Sequence, residues 1–154
     1  MIEIKEMRAR LGELRQLYLQ ATPAQRFKVA LDRITNPTSL VNQLVQQVGA
    51  VEGFSRSVAL DLERKKGVAA EDAYPPLRFL NGVQLLTDRI APAYSTTTTD
   101  MFGPDDWDLF TLAVEFRNFL IHEASSLRAG YCNALSGACH RVLNRLGEVA
   151  GVST

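Results

Sequence analysis

The sequence is poor in residues that cross-link a chain or bind metals. Its 154 residues include two cysteines and two histidines, which excludes a disulfide-stabilised secreted scaffold and a histidine-rich metal site. The charges balance, with 17 Lys and Arg against 17 Asp and Glu. A general nucleic-acid binder with an overall positive field is therefore excluded, and any binding to RNA or DNA must be local.

No hydrophobic run reaches the length of a membrane span. The longest uncharged stretch, Ile34 to Val51, is rich in Asn, Gln and Thr and contains Pro37, whereas a span needs about 20 mostly apolar residues. The segment Met1–Arg10 is charged and lacks the apolar run of a signal peptide. We therefore expect a soluble, cytoplasmic protein with no membrane partner.

Motifs that bind cofactors or metals are also missing. The sequence has no phosphate-binding or dinucleotide-binding glycine loop, no nucleophile elbow and no Cys-x-x-Cys pair. Cys132 and Cys139 would lie about 10 Å apart along a straight helix, too far to share one zinc ion. We expect core cysteines, an exposed His140, no cofactor and no metal.

Helical periodicity of apolar residues dominates the sequence, and no strand-length alternation occurs. We predict a single domain over residues 1–154 with an all-α, up-and-down bundle of five to six helices. The predicted helices run from Met1 to about Gln20, from Pro23 to Asn36, from about Thr38 to Lys66, from Phe79 to Ile90, and from Pro104 to about Leu127 or Arg128. Gly130 divides the last of these from a final helix that extends through Val149.

Breaks between these helices follow from capping residues and prolines. Thr22 precedes Pro23 as a predicted N-cap, and Gly67 follows a basic helix end as a predicted C-cap. Tyr74-Pro75-Pro76 resembles a turn, and Pro92 is expected to stop a helix. Residues 91–104, with the threonine run Thr96–Thr99, are expected to form a polar connection long enough to be mobile.

The segment from Pro104 to Leu127 differs from the other helices because apolar residues nearly surround it. A narrow polar stripe interrupts them, formed by Asp108, Thr111, Glu115, Asn118 and His122. Arg117 lies roughly opposite and needs an acidic partner, a helix irregularity or a surface shared with another chain. The stripe is either a solvated face with a snorkelling arginine or a functional polar surface.

Residues Glu115–Glu123 resemble the signature of the HEPN superfamily, an arginine followed within a few residues by a histidine. Arg117-Asn118-xxx-His122 matches its short form, with the asparagine that often follows the arginine. The resemblance implies a helical bundle that commonly dimerises and brings two motifs together in a cleft between subunits. It also implies a metal-independent endoribonuclease, often a toxin or defence effector. Other members of the superfamily have lost catalysis and bind RNA or protein.

The chemistry of RNA cleavage by its own 2′-OH suits these residues. Histidine exchanges a proton near neutral pH, and arginine binds phosphate oxygens through a two-pronged fork. Asn118 is a candidate to orient the imidazole or a phosphate, and Glu115 to hold the ring or pair with an arginine. Arg117 and His122 point about 140° apart on a straight helix, so either the helix kinks near the motif or each side chain meets the other subunit. Our hypothesis is a composite site across a two-fold interface.

Two features of the sequence depart from this picture. The tyrosine that follows the motif histidine in the antitoxin-regulated branch is Ala124 here, so regulation through that tyrosine is not available. RNA binding would need a local basic surface, for which the candidates are Arg56, Arg64, Lys65, Lys66, Arg78 and Arg128. A homodimeric endoribonuclease, with a possible protein antitoxin or partner subunit, is the leading hypothesis. The alternative is a non-catalytic helical adaptor or an RNA- or protein-binding module.

Overall fold

The computed structural model describes residues 4–35, 43–123 and 129–152, without the side chains of Met7 and residues 119–130. These ranges contain eight helices and no strand, so the all-α prediction is confirmed. The helices are α1 (Ile4–Gln20), α2 (Pro23–Thr35), α3 (Gln43–Lys65), α4 (Ala70–Leu77), α5 (Gly82–Ala93), α6 (Thr98–Phe102), α7 (Pro104–Glu123) and α8 (Ala129–Val149).

The central element is α3, which packs against α2, α4, α5, α7 and α8. Its fully buried side chains include Val48, Val51 and Phe54, and the ring of Phe54 meets that of Phe27 from α2 edge-on at 5.2 Å. Burial of apolar surface on several sides of one helix is the main stabilising term of such a bundle. The buried residues form one connected core.

Two predicted helix boundaries are confirmed by their hydrogen bonds. The Thr22 hydroxyl accepts from the backbone N–H of Gln25, whose side chain accepts from the N–H of Thr22, and this reciprocal pair caps α2. Gly67 adopts a φ of 91° after α3, and its N–H donates to the carbonyl of Arg64. A residue with a Cβ is strained in that conformation, which explains the glycine.

The predicted turn at Tyr74-Pro75-Pro76 is wrong because these residues lie inside α4. The helix persists without the two proline N–H groups since Ala73 and Leu77 are buried against the core. Arg56 of α3 also stabilises the end of α4, because its Nε donates to the carbonyl of Leu77 at 3.1 Å. Tertiary contacts here outweigh the local preference for a turn.

The next helix begins later and ends later than predicted. Asn81 and Gln84 form a capping box at its start, which leaves Phe79 outside the helix and 83% exposed. Residues Leu85–Ile90 of α5 form a π-helical turn, after which Pro92 occupies the first turn of a final α-helical segment. Pro92, which lacks a backbone N–H, thus lies where the π-helical turn gives way to α-helical hydrogen bonding.

The expected polar connection at residues 91–104 contains a helix. The hydroxyl of Thr97 accepts from the N–H of Asp100 at 3.1 Å and caps α6, in which Met101 and Phe102 are buried. One threonine of the run is thus an N-cap. The sequence does not show which of four identical residues takes that role. The two short helices α4 and α6 raise the number above the five or six expected.

The helix that opens at Pro104 is confirmed as α7 and extends to Glu123. Its predicted end at Leu127 or Arg128 lies outside the described residues, as does Ala124. In α8, Leu135, Cys139, Val142 and Leu146 are buried, as expected for Cys139. Cys132, expected in the core, and His140, expected to be exposed, are both half-buried. Among the described helices, none is both long and apolar enough to cross a membrane.

Two glycines in different packing environments should respond in opposite ways to substitution by alanine. Gly147 lies at the contact between α8 and α2, and Gly49 lies in α3. A Cβ built on Gly147 lies 2.5 Å from the buried Phe27 ring, so Gly147→Ala should destabilise the fold by about 1–3 kcal/mol through overpacking. Gly49 in α3 has no atom within 4 Å of a built Cβ, so Gly49→Ala should stabilise by up to about 1 kcal/mol. Urea unfolding measures both, and the same sign for the two would contradict this packing.

Candidate functional site

Arg117 lies on the inward side of α7, where it meets a carboxylate from α3. Its two terminal nitrogens donate to the two oxygens of Glu52, at 3.1 Å to Oε2 and 2.7 Å to Oε1. Both side chains are only 13% exposed. Of the three explanations that the sequence allowed for this arginine, the acidic partner is the one observed.

Further hydrogen bonds fix both members of the pair. Oε1 of Glu52 also accepts from the backbone N–H of Gly82 at the start of α5, at 3.1 Å. The Nε of Arg117 donates to Oδ1 of Asn118 at 2.8 Å. A Cβ built on Gly82 would lie 2.8 Å from Cγ of Glu52, so the glycine permits the close approach of α5. The pair therefore ties together three helices, α3, α5 and α7.

The guanidinium retains part of its hydrogen-bonding capacity. Three of its nitrogens donate once each to Glu52 or Asn118, whereas an arginine carries five N–H groups in a fixed fork. The remaining donors can bind a phosphate oxygen only along the narrow exposed part of the side chain. Arg117 is thus rigidly oriented and largely neutralised by its carboxylate.

The four described side chains of the polar stripe on α7 are wholly or partly exposed to solvent. Asp108, Glu115 and Asn118 are exposed and Thr111 is half-buried. Glu115 makes no ion pair with any described residue and does not approach Arg117, whose carboxylate partner is Glu52. The structure thus brings Asn118 to Arg117 and leaves Glu115 apart from them.

His122 belongs to the last turn of α7, and its side chain lies outside the described residues. The helix is α-helical from Pro104 to Glu123, so positions 117 and 122 sit about 140° apart around its axis. No π-helical or 3₁₀ turn reduces that angle within α7. Both motif positions therefore belong to one regular helix.

Glu52 and Gly82 are the two site residues that the sequence analysis missed. Glu52 is the first charged residue after the uncharged stretch that ends at Val51, and only Ala, Val, Gly and Phe lie within two positions of it. The sequence offers Arg56, one turn later, as its nearest cationic partner and carries no signal for a pairing with Arg117. The identity of the partner, 65 positions away, depends on how α3 and α7 pack.

Cys139 of α8 occupies the core near the Arg117–Glu52 pair. Burial raises the pKa of its thiol to about 12, and the nearby charge of Arg117 opposes part of that rise. A thiol that remains protonated is a poor nucleophile and a poor metal ligand. Within the described ranges, no three His, Cys, Asp or Glu side chains are grouped so as to hold a metal ion.

The predicted basic candidates are largely committed to local partners. Lys65 pairs with Asp61 at 3.1 Å, and Lys66 pairs with Glu63 at 3.2 Å, both near the end of α3. Arg56 donates to two backbone carbonyls, those of Leu77 and Leu80. The guanidinium of Arg78 lies 5.0 Å from the ring centre of the exposed Phe79, and Arg128 lies outside the described residues.

Comparisons with protein-family models, curated proteins and solved structures found no match for this chain. The chemistry of α7, and of the side chains that the other helices place around it, is therefore the basis for inferring a function.

The Arg117–Glu52 pair predicts a large effect on stability when one partner loses its charge. Glu52→Gln should lower the free energy of unfolding by about 3 kcal/mol, because a mostly buried guanidinium is left without compensation. Asp106→Asn is the matched control, since it breaks the solvent-exposed pair with Arg141 and should cost less than about 1 kcal/mol. Equal losses in urea unfolding would contradict a structural role for the buried pair.

Burial of Cys139 predicts a difference in reactivity between the two cysteines. At pH 8 the native protein should react with Ellman's reagent at one thiol per chain, the half-buried Cys132, and at two thiols once unfolded in urea. The variant Cys132→Ser should then show no fast-reacting thiol in its native state. Rapid reaction of the remaining Cys139 would show that this part of the core is open to solvent.

Proposed function

We propose that this chain is a HEPN-like, metal-independent endoribonuclease that acts as a homodimer through Arg117 and His122. The observation that supports this best is the fixed orientation of the Arg117 guanidinium, which Glu52 and Asn118 hold in place. Rates of catalysis depend on groups that are oriented before the substrate binds. In this proposal Glu52 and Asn118 are positioning residues, and Glu115 of the exposed stripe holds the imidazole ring or pairs with an arginine.

The proposed reaction needs one base, one acid and one cation. The imidazole of His122 takes the proton from the ribose 2′-OH, whose oxygen attacks phosphorus and displaces the 5′-oxygen of the next nucleotide. His122 of a second copy gives a proton to that leaving oxygen. The uncommitted N–H groups of Arg117 stabilise the charge that develops on the phosphate.

A second copy of the chain supplies what one α7 lacks. Arg117 and His122 sit about 140° apart on a regular helix, so a single motif does not direct both toward one phosphodiester. On the same helix Leu112 is 42% exposed, which leaves apolar surface available to a partner. The catalytic site in this proposal is therefore composite, with the two α7 helices facing each other. A toxin or defence role with a protein antitoxin or partner subunit is in keeping with the HEPN resemblance.

A second candidate function follows from the same ion pair. Both terminal nitrogens of Arg117 are committed to Glu52, and the side chain is mostly buried. This arrangement favours a structural arginine that holds α7 to α3, in a non-catalytic adaptor or binding module. The two candidates differ in whether His122 is needed for a chemical step.

Cleavage assays with matched histidine variants distinguish the candidates, because the chain has only two histidines. Purified protein is incubated with total RNA in EDTA, beside His122→Ala and His140→Ala. The enzyme hypothesis predicts that His122→Ala loses about 10²–10⁴-fold in rate, the usual contribution of a general acid–base group. His140→Ala should keep the activity.

Light scattering on the same samples tests the composite site. The wild-type protein and both histidine variants should be dimers at micromolar concentration. Cleavage by a protein that stays monomeric would exclude the composite site. If a dimeric wild-type protein, purified free of any inhibitory partner, leaves RNA intact, the adaptor becomes the supported function.

A further inference from the structure

We propose that the cleft between α1, α2, α3 and α4 is a docking site for an acidic, amphipathic peptide segment of a partner protein. The cleft has a volume of about 450 Å³. Its described lining consists of arginines, leucines, tyrosines and glycines: Leu11, Leu14, Arg15, Tyr18, Arg26, Arg33, Gly49, Gly53, Arg56 and Tyr74. This inference does not depend on the activity proposed for Arg117 and His122.

Charge complementarity determines the sign of the partner. Four arginines line the cleft, and no acidic residue is among its described lining. Arg15 and Arg33 make no ion pair with a described residue. The Nε of Arg26 is buried without a hydrogen-bond partner among the described atoms. Buried or clustered guanidinium groups that lack acceptors favour a ligand that brings carboxylate or phosphate oxygens.

Apolar side chains determine the kind of anion. Leu11 and Leu14 of α1 are 46% and 47% exposed beside these arginines. A neighbouring cleft of about 430 Å³ shares Arg26 and is lined further by Leu17 and Val29, both exposed. A phosphodiester strand would leave these leucines in contact with water. A peptide with both acidic and apolar side chains would pair with the arginines and also cover the leucines. Arginine and tyrosine are also enriched at the centres of protein interfaces.

The floor of the cleft is open and the walls are fixed. A Cβ built on Gly49 or Gly53 of α3 meets no atom within 4 Å, although glycine lowers the stability of a helix interior. The hydroxyl of Tyr18 donates to the carbonyl of Gly53 at 2.9 Å, and the guanidinium of Arg26 stacks on the Tyr18 ring at 4.6 Å. Arg56 is held by the carbonyls of Leu77 and Leu80. A ligand would thus enter a preformed groove with little ordering cost.

Selection from a random 12-residue peptide library displayed on phage, using the full chain as target, tests this proposal. The enriched peptides should combine acidic with apolar residues. Two double variants should each weaken binding of the enriched peptide at least tenfold in fluorescence anisotropy: Arg15→Gln/Arg33→Gln removes charge, and Leu11→Ser/Leu14→Ser removes apolar contact. Gly49→Gln, which fills the floor without changing the charge, should weaken it similarly. Arg78→Gln/Arg89→Gln is the charge-matched control outside the cleft and should change the affinity less than twofold.

The same anisotropy assay includes a 12-nucleotide single-stranded RNA and phosphatidylglycerol vesicles. Tighter binding of either one than of the enriched peptide, when it is lost in the cleft variants, would overturn the proposal and assign the cleft to that ligand. It is also overturned if selection enriches no acidic peptides, or if the control variant weakens binding as much as the cleft variants. Thermal unfolding of each variant shows that a loss of affinity is not a loss of fold.

Discussion

The ion pair between Glu52 and Arg117 is the constraint that organises this bundle around α3. Each charge would be costly in a site that is mostly closed to water, and the cost is offset only because the fork of the arginine matches both carboxylate oxygens. Gly82 adds a backbone N–H, which brings α5 to the same point. The relative positions of three helices thus depend on one carboxylate, and replacing it would affect more than a single contact.

Two opposite charges on neighbouring turns of α3 contact different parts of the molecule. Glu52 points toward α5 and α7 and neutralises a buried cation, whereas Arg56, one turn later, lies beside the cleft where three more arginines gather. A chain with no net charge therefore carries a concentrated positive surface. Net charge governs long-range attraction, but recognition at short range depends on where the charges lie. Of the described residues predicted for a local basic surface, only Arg56 lines this cleft, beside Arg15, Arg26 and Arg33.

The capping preferences of short segments predicted helix ends correctly where a residue nearby in the sequence supplies the hydrogen-bond partner. The cap at Thr22 and the glycine after α3 are confirmed because their donors and acceptors lie within a few residues. The preferences of short segments misjudged Pro75 and Pro76, since burial of Leu77 and the reach of Arg56 keep α4 helical. They also missed α6, where Thr97 provides the cap within a polar run. Tertiary packing competes with turn propensity in both segments.

The sequence alone determined the helical class and most of the long helices, and it limited Arg117 to an acidic partner, a helix irregularity or a shared surface. Periodicity, capping and the cost of burying a cation are properties of short segments. The tertiary structure decided that Glu52 is the partner of Arg117, and it gathered four arginines around two open glycines. These features join residues that are tens of positions apart, and their distances are set by how helices pack. No pattern within one segment encodes that geometry.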